Sequence, residues 1–312
     1  MNVVVFGAGA IGSIYAAKLS AHHPVTVIGR PDHVAAIARD GLRVIGRESF
    51  TARVRAAVDL GELPNSTLVL LTTKVNDNRR AAAALATVVR PDTIVLCVQN
   101  GLGSEAVVKD VIAGRCFVLR AVTQFGAIFS EPGVVDLKVA GYTLIEAGQR
   151  SQHVADLLTA SGLDGRVSPS INTEIWRKLI FNCVINPITS IVGSEVGGIA
   201  DPRLDPLKRL VIDECLRVAA TDGVSFEEDF VQALAETFGA SRNIASMRQD
   251  LQRGRPTEID FMNGAVVALG QQHGIDCPVN AALTAIIKAM ERAGFQADGV
   301  AARPASWRDE PE

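Results

Sequence analysis

An α/β N-terminal domain followed by an all-α C-terminal domain is the fold class the sequence predicts, on three observations. Short apolar runs alternate with helical stretches through the first half, a glycine-rich turn follows the first of those runs, and from about Asn172 onward the pattern is helical alone. With 312 residues, 48% of them hydrophobic, the chain has enough apolar material for two cores, and the division is expected near 168–172, giving domains 1–168 and 169–312.

Asn2–Phe6, Val25–Ile28, Thr67–Leu71 and residues 93–97 read as strands, with helices at 10–20, 77–89 and 104–111 between them. The strands are apolar throughout rather than alternating, as expected of a parallel sheet covered on both faces. Beyond Leu119, shorter β-like pieces at Val134–Val139 and 143–145, punctuated by Gly126, Pro132, Gly133 and Gly141, are expected to continue that sheet. Helices are expected at 173–192, 204–221, 227–238, 257–273 and 281–293, and a loosely held tail at 296–312.

The formal net charge of −3 gives no basic field for nucleic acid or an anionic membrane, so a small-molecule partner is favoured. Cys97, Cys116, Cys183, Cys215 and Cys277 are scattered singly without metal-ligand spacing and read as buried thiols in a reducing compartment. The apolar start lacks the basic residues of a secretory signal, and no run reaches the ~18 apolar residues of a membrane span. A cytoplasmic protein is expected, with no metal and with a homodimer left open.

Strand, then Gly7-Ala8-Gly9-Ala10-Ile11-Gly12, then an amphipathic helix is the context the dinucleotide fingerprint requires. Gly7 permits the tight turn, Gly9 lets a pyrophosphate approach the backbone, and Gly12 packs helix on strand, with free amides at the helix start. This predicts a Rossmann domain. At the end of the second strand, Gly29-Arg30 offers a cation where an acidic residue would select NADH, so NADPH is the expected cofactor. Two loops at the sheet's carboxyl edge, Thr72-Thr73-Lys74 and Gln99-Asn100-Gly101, place Lys74 near the cofactor and Asn100 near cofactor or substrate; a solvated lysine and an Asx turn are the bland alternative.

In the helix expected at 173–192, Lys178, Asn182 and Asn186 fall four apart on otherwise apolar ground, one stripe drifting only ~40° per step. Buried amides and an ammonium need partners, which a cleft holding an anionic substrate supplies; a solvated polar face is the alternative. Pro187 predicts a kink or break just after Asn186. Downstream of Ser246, Pro256 is expected to open a helix with Glu258 and Asp260 in its first turn, on different faces, so at most one of them meets a shared cleft.

Taken together, the glycine turn, Thr73-Lys74, Asn100-Gly101, the run Trp176-Arg177-Lys178-Leu179 through Asn182-Cys183-Val184-Ile185-Asn186-Pro187, Ser246-Met247 and Thr257-Glu258-Ile259-Asp260 resemble the ketopantoate reductase family over most of the chain. The resemblance implies an all-α C-terminal domain of the 6-phosphogluconate dehydrogenase type and NADPH-dependent reduction of 2-dehydropantoate (ketopantoate) to pantoate, in pantothenate and coenzyme A biosynthesis. It implies Lys178 as general acid, Glu258 as anchor of the substrate hydroxyl and orienter of the lysine, and Asn100, Asn182, Asn186 and Ser246 as the polar pocket. The chain departs from the pattern at Glu195-Val196-Gly197, where many members carry Asn-Gly, so a reductase of a different small 2-keto acid is a competing reading. A non-catalytic NADPH sensor is another, and it has no need of a proton donor.

Overall fold

The structure, a computed structural model, describes residues 1–293; the tail expected at 296–312 lies outside them. The strands are β1 (Asn2–Phe6), β2 (Val25–Ile28), β3 (Leu42–Gly46), β4 (Phe50–Ala52), β5 (Arg55–Ala57), β6 (Thr67–Leu71), β7 (Ile94–Cys97), β8 (Phe117–Thr123), β9 (Gly126–Glu131), β10 (Val134–Val139), β11 (Thr143–Glu146) and β12 (Gly165–Ser168). Helices α1 (Ala10–Leu19), α2 (Pro31–Asp40), α3 (Asn78–Ala86), α4 (Ser104–Ile112) and α5 (Ser151–Ala160) lie among them. The C-terminal part is α6 (Ile171–Val192), α7 (Asp205–Thr221), α8 (Phe230–Phe238), α9 (Ser246–Gln252), α10 (Asn263–Gln272) and α11 (Pro278–Ala293).

Among the described residues, eight strands form one sheet in the order β12-β11-β8-β7-β6-β1-β2-β5, parallel except where β11 runs against β8. Val3, Val5, Leu68, Leu70 and Leu96 point to one core and Val4, Val69, Leu71, Val95 and Cys97 to another, so both faces are covered, as the unbroken apolar strands require. The expectation that Val134–Val139 continues this sheet is corrected. β10 belongs to a second sheet, β4-β3-β10-β9, pairing parallel with β3 and antiparallel with β9 across the turn at Pro132-Gly133. That sheet lies against α1, which is therefore buried along most of its length from Gly12 to Leu19 and is not the amphipathic helix expected from the sequence.

The helical part has its own core, built on Trp176, Leu179, Ile180, Cys183, Val184, Val211, Cys215 and Leu234. Three expectations are corrected here for identifiable reasons. Pro187 does not break α6, because Asn263 Nδ2 donates at 3.0 Å to the Cys183 carbonyl that Pro187 has no N–H to bond. The helix expected at 257–273 is interrupted: a 3-10 turn at Ile259–Phe261 ends at Met262 (φ −111°, ψ −102°), outside helical geometry, and α10 starts only at Asn263. The helix expected at 227–238 starts at Phe230, where Asp229 Oδ1 accepts from the amides of Val231 and Gln232 at 2.9 and 3.2 Å. All five cysteines are free thiols, and Cys116 is only half-buried. No helix of the described residues is long and apolar enough to cross a membrane.

Candidate functional site

The six-residue glycine turn is made by backbone. Gly7 has φ +114°, and a Cβ there would lie 2.4 Å from the Thr73 amide nitrogen, so no other residue fits. The amides of Gly7 and Ala8 donate to the Ile28 carbonyl at 3.1 and 3.0 Å, while Thr72 Oγ1 donates to the Gly7 carbonyl at 2.8 Å. A Cβ on Gly12 would meet that same carbonyl at 2.3 Å, which is how closely α1 presses on the turn. At Gly9, by contrast, a Cβ would meet nothing within 4 Å, and no side chain caps α1. The amides opening this helix at Ala10 and Ile11 are thus left without a capping side chain next to an open glycine, a cradle that fits a pyrophosphate.

Arg30 follows β2 and Gly29 and is exposed, its guanidinium carbon 6.0 Å from the Phe129 ring centroid. From the helical part, Arg253 donates to the Phe129 carbonyl at 3.0 Å. Arg255 also lies here: burial, then the charges of Arg30 and Arg253, hold its guanidinium below the usual arginine range. The sequence reading singled out Arg30 alone. The two further arginines were visible only as a charged loop of unknown position.

Between the two parts is a narrow cleft at the carboxyl edge of β7 and β8. Asn100, Arg120, Lys178 and Asn182 form its polar wall, and Ile175 and Leu179 an apolar one. Of the three stripe residues on α6, Lys178 and Asn182 line the cleft and Asn186 does not, and Lys178 Nζ donates to the Thr123 carbonyl at 2.6 Å. Burial and then the neighbouring Arg120 charge push the Lys178 pKa down to about 8, against an opposing pull from Glu258. Asn186 stands behind this wall: its Nδ2 donates to Asn182 Oδ1 at 3.2 Å, and its Oδ1 accepts from Ser246 Oγ at 3.3 Å. Ser246 itself is exposed and lies outside the set of cleft-lining residues. Gln99, beside Asn100, keeps its amide nitrogen 2.7 Å from Asn78 Oδ1 while its Oε1 is buried without a partner, a free acceptor at the cleft.

Glu258 precedes the 3-10 turn, and its carboxylate accepts from the Val75 amide at 3.3 Å. Burial pushes its carboxyl pKa up; Lys74, the Val75 amide and Asn100 oppose that. Asp260 points elsewhere and pairs with Lys288 at 2.6 Å, so only one of the two acids reaches the site. Lys74 forms an ion pair with Asp250, and Asn76 donates to the Thr257 carbonyl at 3.5 Å. These contacts fasten the loop after β6 to the segment carrying Glu258. Val196 is buried in the helical core and does not line the cleft.

Arg120 is the residue that the sequence reading missed. It sits inside the apolar run Phe117–Thr123, and an arginine among buried β residues was the available signal. Among the described residues, no group of three or more His, Cys, Asp or Glu could hold a metal.

Two family models match the chain: Ketopantoate reductase PanE/ApbA over residues 3–151 and Ketopantoate reductase PanE/ApbA C terminal over residues 170–291. The chain belongs to the ketopantoate reductase family. Among its relatives is the 2-dehydropantoate 2-reductase of Pyrococcus horikoshii, 34% identical over 303 residues, a match covering 94% of this chain and 99% of the relative. The crystal structure of a PanE/ApbA family ketopantoate reductase from Ralstonia eutropha JMP134 superposes with a TM-score of 0.86 at 30% identity, covering 94% of this chain and 99% of that one. A D-mandelate dehydrogenase solved as a complex with NADH gives 0.83 at 25% identity, covering 95% and 100%. The fold is thus a Rossmann-type sheet domain with a helical C-terminal domain, as the sequence led us to expect.

Proposed function

We propose that this chain reduces 2-dehydropantoate to pantoate with NADPH, supplying pantothenate and coenzyme A synthesis in the cytoplasm. The observation that carries the reading is Lys178: a desolvated ammonium on the cleft wall beside Asn100 and Asn182, at the carboxyl edge of a sheet whose first turn fits a dinucleotide. The named relatives support the reaction, and the five free thiols support a reducing compartment. A nicotinamide cofactor, held by the turn Gly7 to Gly12, would supply the hydride for the substrate's C2 carbonyl carbon.

Everything else falls to the chain's own side chains. The carbonyl oxygen gains charge as hydride arrives, and Lys178 Nζ supplies the proton. With its pKa lowered to about 8 by burial and Arg120, Lys178 is a stronger acid than an ordinary lysine while keeping its proton below that pH. Glu258 orients the lysine and takes the substrate hydroxyl; Asn182, braced by Asn186, and Asn100 fix the keto acid, with Ser246 closing the chain of amides. Gly7, Ala8, Gly9, Ala10, Ile11 and Gly12 hold the pyrophosphate. Arg30, with Arg253 and Arg255 beside it, favours the 2′-phosphate and hence NADPH over the NADH of the mandelate enzyme. Lys74 borders the cofactor through its pair with Asp250.

The test is NADPH oxidation by the purified protein with ketopantoate, with NADH and simpler 2-keto acids run in parallel. Selective oxidation with ketopantoate is expected. Turnover only with another 2-keto acid would favour the second reading that Val196 motivates, and no oxidation with any keto acid would overturn both.

A further inference from the structure

A 2-keto acid brings a carboxylate into the cleft beside its carbonyl, and the residues named so far assign that carboxylate no cation. Lys178 is committed to the carbonyl oxygen, and Ser246 lies outside the cleft lining. Yet the wall holds a second cation. The Arg120 side chain is only 3% exposed and comes from the middle of β8, opposite Cys97 at the end of β7, donating through Nη1 to the Cys97 carbonyl at 3.3 Å and through Nη2 to the Gly101 carbonyl at 3.0 Å.

A buried guanidinium is expected to be met by a well-aligned carboxylate, and this one is not. Glu105 Oε2 approaches Nε at 3.4 Å, but the two atoms are misaligned and neither makes a hydrogen bond. Of the five N–H donors of a guanidinium, carbonyls take one on each Nη, which leaves a second hydrogen on each. The other acid acting on it, Glu146, is already engaged, accepting from the Arg120 backbone amide at 2.7 Å and pairing with Lys109 at 3.1 Å. Two cations, Arg120 and Lys178, thus line the same cleft, and the Arg120 charge adds to burial in lowering the Lys178 pKa, which leaves positive charge on the wall. An anion of one charge, presenting two coplanar acceptors, is the occupant that balances it.

We propose that Arg120 is a specificity-determining residue that binds the carboxylate of the keto acid substrate, held in place by the Cys97 and Gly101 carbonyls. This rests on the keto acid reductase reading above. It makes the cleft a two-cation site in which Lys178 serves the oxygen that reacts and Arg120 the group that does not.

Two readouts separate this inference from that reading. The first is kcat and KM for the best 2-keto acid; the second is calorimetric binding of oxamate, which carries a carboxylate, and of oxamide, its neutral counterpart, to the NADP⁺-loaded protein. In Arg120→Met the KM for the keto acid and the Kd for oxamate are expected to rise on the order of 100-fold. Oxamide and NADPH binding are expected to stay as in the wild type, and Arg120→Lys to recover part of the loss. If Arg120→Met folds poorly because Glu105 is left unpaired, the double variant Arg120→Met, Glu105→Gln removes that charge and is measured in its place. Unchanged oxamate affinity, or parallel weakening of oxamate and oxamide, would overturn the assignment. A wild-type protein that turns over no keto acid but binds oxamate through Arg120 would remove the reductase reading and keep the anchor. One that binds oxamate in neither form would remove both.

Discussion

The cofactor turn and the keto acid cleft are built on opposite plans. The turn is six consecutive residues whose carbonyls and amides are fixed by steric contact, with Gly7 and Gly12 each too close to backbone for any side chain. The cleft gathers Asn100, Arg120, Lys178 and Asn182 from a loop, a strand and a helix, with Glu258 near enough to act on Lys178, and it works through side-chain charge in a desolvated place. Backbone sites hold a shape at any pH, whereas charge sites depend on which protons are on and on what is packed around them.

The most severe way to break that contrast is to remove the proton donor. Lys178→Ala is expected to lower kcat by about 10² to 10⁴-fold while leaving the NADPH dissociation constant as it was, measured by single-turnover kinetics and fluorescence titration. Comparable losses of turnover and cofactor affinity would mean that the two sites are not independent. A second test varies the proton. Because burial and Arg120 lower the Lys178 pKa from 10.5 to about 8, the ammonium persists below that value and is lost above it. Reduction is therefore expected to be level up to about pH 8 and then to fall roughly tenfold per unit, whereas an unperturbed lysine would hold its plateau to about 10.5. NADPH affinity, set by the glycine turn, should show no such limb.

Smaller in effect, Arg30→Gln sharpens the comparison at the one charged point of the cofactor site. It is expected to weaken NADPH by on the order of tenfold and to leave NADH unchanged, because only the former carries the 2′-phosphate. Equal loss of both would place Arg30 elsewhere on the nucleotide. Smallest for catalysis is Asn263→Ala, which leaves the Cys183 carbonyl and the Asn280 side chain short of a donor. It is expected to cost on the order of 2 kcal/mol of stability, read from denaturant midpoints.

The same contrast explains what was legible in the sequence. β1, β2 and β6 were read to the residue, because a covered parallel strand is an uninterrupted apolar run and the fingerprint is contiguous. β10 was assigned to the wrong sheet, since its partner β3 lies some ninety residues earlier and neither strand's own sequence names the other. Lys178 and Asn182 were legible from their four-residue spacing alone, and the structure puts both on the cleft wall. Glu258 by itself looked like an ordinary helix-start acid; it is not one, because the α-helix begins five residues later at Asn263. Arg120 stayed invisible because its meaning depends on the parallel register that sets it against Cys97 at the sheet edge.

The Asn263 side chain that bridges to Cys183 also has a metrical role. α6 is about 33 Å long, and the buried residues beyond Pro187 keep their bearing relative to Lys178, Asn182 and Asn186 only if the helical pitch is uniform across the proline. Losing one residue of phase there would turn Ile188, Thr189 and Ser190 by ~100° relative to that polar stripe and lift them from their buried places. A borrowed amide from a neighbouring helix thus acts as a splice in a measuring rod, so that marks on either side of the joint are read against one scale.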